Sequence, residues 1–309
     1  MTSPASRSVP PLQDPPASLS SGTVTIVICT CNRPDQLRKC LEAVSRLDPG
    51  PTGVLVVDNT AGHELTRAAA LEFGARYITE PLPGLSRARN RGLAECSTRF
   101  VAFLDDDAEP LASWLGLLLA PFADPRVASV TGDTYDSESA SASSAGKPTR
   151  FLSSNDPLWF EIANFGGLGY GTNMALRKTY CGHHLFDERL GRGAPLWIAE
   201  ESHAFASLVA RGYSAAHVPQ AIVIHPSKPR DIQREASTSF AYWLLLFADF
   251  PDQRMNLLRF LRRRLRREKL PWPRDPQEPG EVISSGWRVH LKAGITGALL
   301  YFHNRKHRA

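Results

Sequence analysis

The sequence predicts an α/β fold, a mostly parallel mixed sheet flanked by helices with a C-terminal helical appendage, and three observations carry that prediction. Apolar, β-branched runs alternate with helically periodic stretches in the N-terminal third, the pattern of a parallel sheet covered on both faces. Three of those runs stop at polar or acidic loops, which puts the loops on one sheet edge, where α/β folds bind their ligands. Beyond Pro229 the alternation gives way to amphipathic helical periodicity.

The elements follow in order. Residues 1–22, rich in Pro, Ser and Ala without an apolar run resembling a signal peptide, read as a flexible tail. Val24 to Cys29 is a buried strand; after the loop Thr30 to Asp35, Leu37, Cys40, Leu41 and Val44 recur at helical spacing. The strand Gly53 to Val57 stops at Asp58-Asn59, and the helix Glu64 to Phe73 leads to the strand Arg76 to Ile78. The helix Ser86 to Cys96 precedes the strand Phe100 to Leu104, which runs into Asp105-Asp106-Asp107. Asp133 to Lys147, mostly Ser and Ala, reads as a mobile loop, a lid or a linker. A glycine-dense stretch from Phe165 to Asn173 leads into Met174 to Arg177, and Glu200 to Arg211 is a helix closed by Gly212. The strand Ala221 to Ile224 then ends at His225-Pro226. These elements divide the chain into the tail, a catalytic domain over 23–230 and a helical extension over 231–309.

Composition bounds the function. The chain has 309 residues, 42% hydrophobic and 22% charged, the make-up of a folded globular protein. A net charge of +5 points to an anionic partner without separating nucleotide, nucleic acid and membrane surface. Five cysteines cannot all pair in one chain, and no second Cys/His pair stands at zinc spacing from Cys29 and Cys31, so reduced thiols and a cytoplasmic protein are expected. The apolar runs Trp114 to Phe122 and Tyr242 to Phe250 are shorter than the ~20 residues that span a bilayer.

The chemistry-bearing residues sit at the strand ends. Three consecutive carboxylates, Asp105, Asp106 and Asp107, repel one another unless a cation or donors compensate them; hard oxygen ligands suit Mg²⁺ or Mn²⁺. His225, at another strand end, supplies a nitrogen ligand if it shares that edge, which favours Mn²⁺. Arg87, Arg89 and Arg91 open a helix, where the dipole disfavours cations; either a diphosphate or surface carboxylates answer them. Asp58 is either a hydrogen-bond acceptor for a base or ribose, or a turn former with Asn59. Gly166 to Gly171 fits neither a P-loop nor a dinucleotide fingerprint, and admits either a bulky ligand such as a sugar or a tight turn. Glu200 and Glu201 cap a helix N-terminus or supply a general base, and about 100° of helix rotation separates them. In the basic segment within 257–270, Leu257, Leu258, Leu261 and Leu265 read as one apolar face, leaving two readings: peripheral contact with the inner face of a membrane, or a helix docked on the catalytic domain.

In this order the residues resemble the large family 2 glycosyltransferases with the GT-A fold. The likeness runs from about Val24 to Pro226, through Val27 to Pro34, Val56 to Asn59, Ala88 to Gly92, Phe103 to Asp107, Gly171 to Ala175, Phe186 to Gly191, Glu200-Glu201 and His225. The resemblance implies a nucleotide-sugar donor surrounded by Thr30, Asn32, Arg33 and Asp58 with Arg89 nearby, Asp105 toward the ribose and Asp106 beside it. Asp107 would bind Mn²⁺ or Mg²⁺ with Asp105, completed by His225, and Gly171 and Asn173 would line the sugar and acceptor pocket. Glu201 stands where the family's catalytic Asp is usual, beside Glu200, and His203 where another acid is common. The expected reaction is single-sugar transfer to an acceptor hydroxyl of a glycan, a lipid-linked sugar or a small molecule, with inversion and without nucleic acid. The rival readings are a sugar-nucleotide pyrophosphorylase, which lacks its N-terminal Gly-rich loop here, and a non-catalytic nucleotide-sugar or membrane-surface binding protein.

Overall fold

Alternating burial explains the first strand and, with it, the layering of the molecule. In β1 (Val24–Thr30), Val24, Ile26 and Ile28 face one apolar cluster while Val27 and Cys29 face another, because successive side chains of a strand point to opposite faces. The computed structural model describes residues 23–136, 144, 146–165, 167–226, 232–266 and 296–299. The tail at 1–22, most of the Ser/Ala-rich stretch, Gly166 and most of the chain beyond 266 lie outside the described residues.

After β1 come α1 (Pro34–Ser45), β2 (Gly53–Asp58), α2 (Glu64–Glu72), β3 (Arg76–Thr79), α3 (Leu85–Glu95) and β4 (Phe100–Asp105), each within two residues of its sequence reading. Short β5 (Glu109–Pro110), α4 (Trp114–Leu119), β6 (Val127–Tyr135), β7 (Arg150–Leu152), α5 (Trp159–Phe165) and β8 (Met174–Arg177) follow. Then come α6 (Glu200–Ala210), β9 (Ser214–Ile224), α7 (Ile232–Asp249) and α8 (Arg254–Leu265), and residues 296–299 form a further helical turn. Among the described residues nine strands form one sheet in the order β3-β2-β1-β4-β8-β6-β9-β5, with β7 on β9. β3, β2, β1 and β4 are parallel; β8 is antiparallel to both β4 and β6, while β6 and β9 are again parallel. Helices α1, α2 and α4 cover one face. Helices α3, α5, α6 and α7, with Leu257 of α8, cover the other, so the described part of the extension shares the catalytic core.

Three sequence readings need correction. Ala221 to Ile224 is only the end of an eleven-residue strand, because Pro219, Gln220 and His217 interrupt its apolar run. Asp133 to Tyr135, read as loop, belong to β6, and Ser144 is buried, its hydroxyl donating to Asp133 (2.7 Å). The leucines of the basic helix do not share one environment. Leu257 is buried in the core and Phe260 stacks on Phe165 at 4.0 Å, whereas Leu258 points outward. Among the described residues no helix is long and apolar enough to cross a membrane. All five cysteines are free, four of them buried.

Candidate active site

Parallel pairing assembles the site edge. Register sets Thr30 beside Asp58 and Cys29 beside Asp105, so the ends of β2, β1 and β4 lie side by side. Asn32 turns the chain out of β1 with φ of 55°, a left-handed conformation that asparagine tolerates, and its side chain is exposed. The Thr30 hydroxyl donates to Asp106 (2.7 Å), and Arg33 pairs with both Asp106 and Asp107, the latter at 2.8 Å. Asp106 is fully buried, and burial pushes its carboxyl up to about 6 even though the Thr30 bond and the Arg33 charge pull it down.

Asp107 and His225 come from β-strand ends 118 positions apart (225 − 107), yet Asp107 Oδ1 lies 3.0 Å from His225 Nε2. Pairing of β5 with β9, Glu109 opposite Ile224, causes this approach, and the His225 amide donates to the Tyr135 carbonyl (2.7 Å). Asp105 Oδ2 is 3.7 Å from the same nitrogen, and one ligand atom from each of the three residues falls within a 4.8 Å cluster. The buried Nε2 makes no hydrogen bond despite its closeness to two carboxylates. Two carboxylates and one imidazole converging in this way fit a hard divalent cation, and the nitrogen favours Mn²⁺ over Mg²⁺.

Behind that cluster runs a second set of charges. Arg89, buried in α3, donates to Glu200 (2.8 Å) and pairs with Asp105 at 3.5 Å, so one guanidinium ties the carboxylate loop to the start of α6. Gly171 lies against this arginine: an added Cβ would sit 2.5 Å from Arg89 Nη2 and displace the guanidinium. Glu201, the next residue of α6, has a different environment. Burial, then the charge of Glu200, raises its carboxyl above the ordinary carboxylate range, with Arg89 pulling the other way. Glu200 is thus held in an ion pair with Arg89, and its neighbour Glu201 binds a proton more tightly than an ordinary carboxylate.

Residues 25–184, more than half of the chain, match the model of glycosyl transferase family 2. The chain belongs to that family. That membership sets aside the sugar-nucleotide pyrophosphorylase reading. Over 121 residues, 38% of the chain, it is 39% identical to the pre-mycofactocin glycosyltransferase of Mycobacterium tuberculosis, of which the match covers 24%. It spans about a quarter of that relative. It is also 28% identical over 223 residues to the succinoglycan biosynthesis protein ExoM of Rhizobium meliloti, covering 66% of each. The solved mannosyltransferase PcManGT from Pyrobaculum calidifontis, in complex with GDP-Man and Mn²⁺, superposes with a TM-score of 0.58 at 16% identity over 91% of this chain and 87% of that one. That likeness shows the fold, a mixed α/β sheet of GT-A type.

The residues expected around the donor divide into two groups. Asn32, Arg33, Asp105, Asp107 and His225 converge on the open edge, while Thr30 faces inward. The carboxylate of Asp58 is buried and accepts from the Thr60 hydroxyl (2.8 Å), the His63 amide (3.1 Å) and the Tyr77 hydroxyl (2.6 Å), which makes it a turn former. Asn173 is buried too; it accepts from the Trp114 indole (2.8 Å) and donates to the Asp133 and Ala221 carbonyls. Asp58, Asp106, Arg89, Gly171 and Asn173 are thus all buried in this structure. Two residues were missed. Tyr242 of α7 is buried within the field of Glu201 and Glu200 and donates to Asn164 (2.6 Å), and Asp249 pairs with Arg189 at 2.6 Å beside His203. Neither has a local sequence signal, because each sits in an apolar helix whose partner lies far along the chain.

Proposed function

We propose that the chain transfers one sugar from a nucleoside-diphosphate sugar to an acceptor hydroxyl, with inversion and with the help of Mn²⁺ or Mg²⁺. The observation that carries this reading is the convergence of Asp105, Asp107 and His225 within 4.8 Å on the sheet edge where α/β folds bind their ligands. Bound there, the cation would act as a Lewis acid that offsets the charge developing on the leaving diphosphate. Asp107 and Asp105 offer oxygen ligands, His225 a nitrogen, and Arg33 orients Asp107 from the far side. Glu201 acts as general base: its raised proton affinity suits removal of a proton from the acceptor hydroxyl as the new glycosidic bond forms. Arg89 pairs with Glu200 at 2.8 Å and so fixes the start of α6 beside Glu201. Residues 23–230 carry this chemistry, and the extension from 231 walls it from the base side through Tyr242 and Asp249. The mannosyltransferase that shares the fold holds a donor and an ion of the same classes. Release of nucleoside diphosphate from a panel of nucleotide sugars, with Mn²⁺, Mg²⁺ or EDTA, tests the reading. Turnover of one donor that EDTA abolishes supports it; full turnover in excess EDTA removes the cation from the mechanism.

A further inference from the structure

Helices α7 and α8 leave one face that the core does not cover among the described residues, except at its start, where Gly297 packs close to Phe240. On α7, Phe240, Trp243, Leu244 and Phe247 recur at helical spacing, and all are partly or largely exposed, Phe247 to 42%. Arg254 continues that stripe across the turn, its guanidinium 4.6 Å over the Phe247 ring and its Nε donating to the Phe247 carbonyl (2.9 Å). Along α8 the outward positions are then Met255 (62% exposed), Leu258 (48%), Arg259 and Arg262. From Arg254 to Arg266 the chain carries six arginines and no acidic residue. Leu257 and Phe260 fix the rotation of the helix, because both are buried against the catalytic core. The exposed face is therefore held rigidly in one orientation, with apolar tips between cations.

We infer that this face seats the enzyme on an anionic lipid surface, with Phe247, Met255 and Leu258 entering the headgroup region and Arg254, Arg259 and Arg262 pairing with lipid phosphates. Charge complementarity selects this occupant. A second copy of the chain would set these arginines against themselves, whereas an anionic bilayer satisfies them and takes up the apolar tips in one contact. Aromatic side chains at the rim suit the same boundary. The inference goes beyond the proposed reaction and does not depend on it.

Flotation of the full chain with phosphatidylcholine vesicles, with and without phosphatidylglycerol, tests it at low and high salt. The expected result is binding to the phosphatidylglycerol vesicles that high salt releases. Each arginine near the surface is worth about fivefold in partitioning, so Arg259→Gln with Arg262→Gln should weaken binding by about 25-fold. Met255→Asp with Leu258→Asp should reduce it further, while both double variants keep the wild-type melting temperature and donor turnover. Equal binding to neutral vesicles, no flotation with anionic vesicles, or unchanged flotation of both variants would overturn the inference. So would a concentration-dependent dimer that Leu258→Asp dissociates, since the face would then be a protein interface.

Discussion

The two sides of the active site are built in different ways. On the proposed donor side, Arg33 and Asp105 to Asp107 follow the ends of β1 and β4, a few positions from the apolar runs that deliver them, and His225 joins them at the end of β9. On the proposed acceptor side, Glu201 of α6, Tyr242 of α7 and the Asp187–Arg189–Asp249 network come together from segments tens of residues apart. The donor side depends on strand pairing, and the acceptor side on packing between helices and loops. Arg89 belongs to both, through Asp105 on one side and Glu200 on the other. Damage to the donor side should therefore remove chemistry with the fold intact, whereas damage to the acceptor side or to Arg89 should register in stability as well.

The largest expected effect is on the donor side. Asp107→Ala should lower cation-dependent turnover by at least about 10³-fold while thermal unfolding stays close to wild type, because Arg33 keeps Asp106 as a partner. Normal turnover of this variant would dissociate the carboxylate cluster from the reaction. Arg89→Met should break the comparison in the other direction. Removing one partner of a buried ion pair destabilises by about 3–5 kcal/mol, so this variant should unfold at markedly lower denaturant concentration and also lose turnover. If it loses turnover alone, Arg89 touches substrate and the bracing role is wrong.

A pH experiment sharpens the acceptor side. Burial alone would raise the Asp249 carboxyl, but His203 at 3.6 Å and the Arg189 guanidinium hold it down at about 2. A carboxyl held below its unfolded value stabilises the fold above pH ~4 and loses that contribution as pH falls through about 2. Asp249→Asn should thus be less stable than wild type by about 2 kcal/mol near neutral pH, and the gap should shrink from pH ~4 downward. A gap that is constant with pH would mean that packing, not charge, holds α7 against α6. The smallest effect expected is that of Tyr77→Phe, which removes one of three donors to Asp58 and should cost about 1 kcal/mol with little change in turnover.

The same contrast explains what the sequence made legible. Apolar runs that stop at Asp58 and at Asp105-Asp106-Asp107 announce strands and a charged edge, because in a parallel sheet the local pattern and the tertiary position coincide. The direction of each carboxylate was not legible: three adjacent aspartates look alike, and only the Thr30 hydroxyl and Arg33 turn Asp106 inward. Asn173 has the residue type of a ligand, but β6 and β9, neither read in full, supply the carbonyls that bind it. Gly171 has the look of a ligand-facing glycine, and the pressure on it comes from Arg89, 82 positions earlier (171 − 89). Leu257 and Leu258 are neighbours in one apolar pattern, and the placement of α5 decides that the first is core and the second surface.

The central claim is that Glu201, beside the Arg89–Glu200 ion pair, is the base, and kcat of two variants measured with saturating donor and acceptor tests it most directly. Glu201→Gln keeps the shape and most hydrogen bonding of the side chain but cannot take a proton, so its kcat should fall by about 10²- to 10⁴-fold with donor affinity unchanged. Glu200→Gln weakens the pairing with Arg89 and should do less to kcat while lowering stability. Near-normal kcat in Glu201→Gln together with its loss in Glu200→Gln would reverse the assignment, and wild-type kcat in both would contradict base catalysis by this helix.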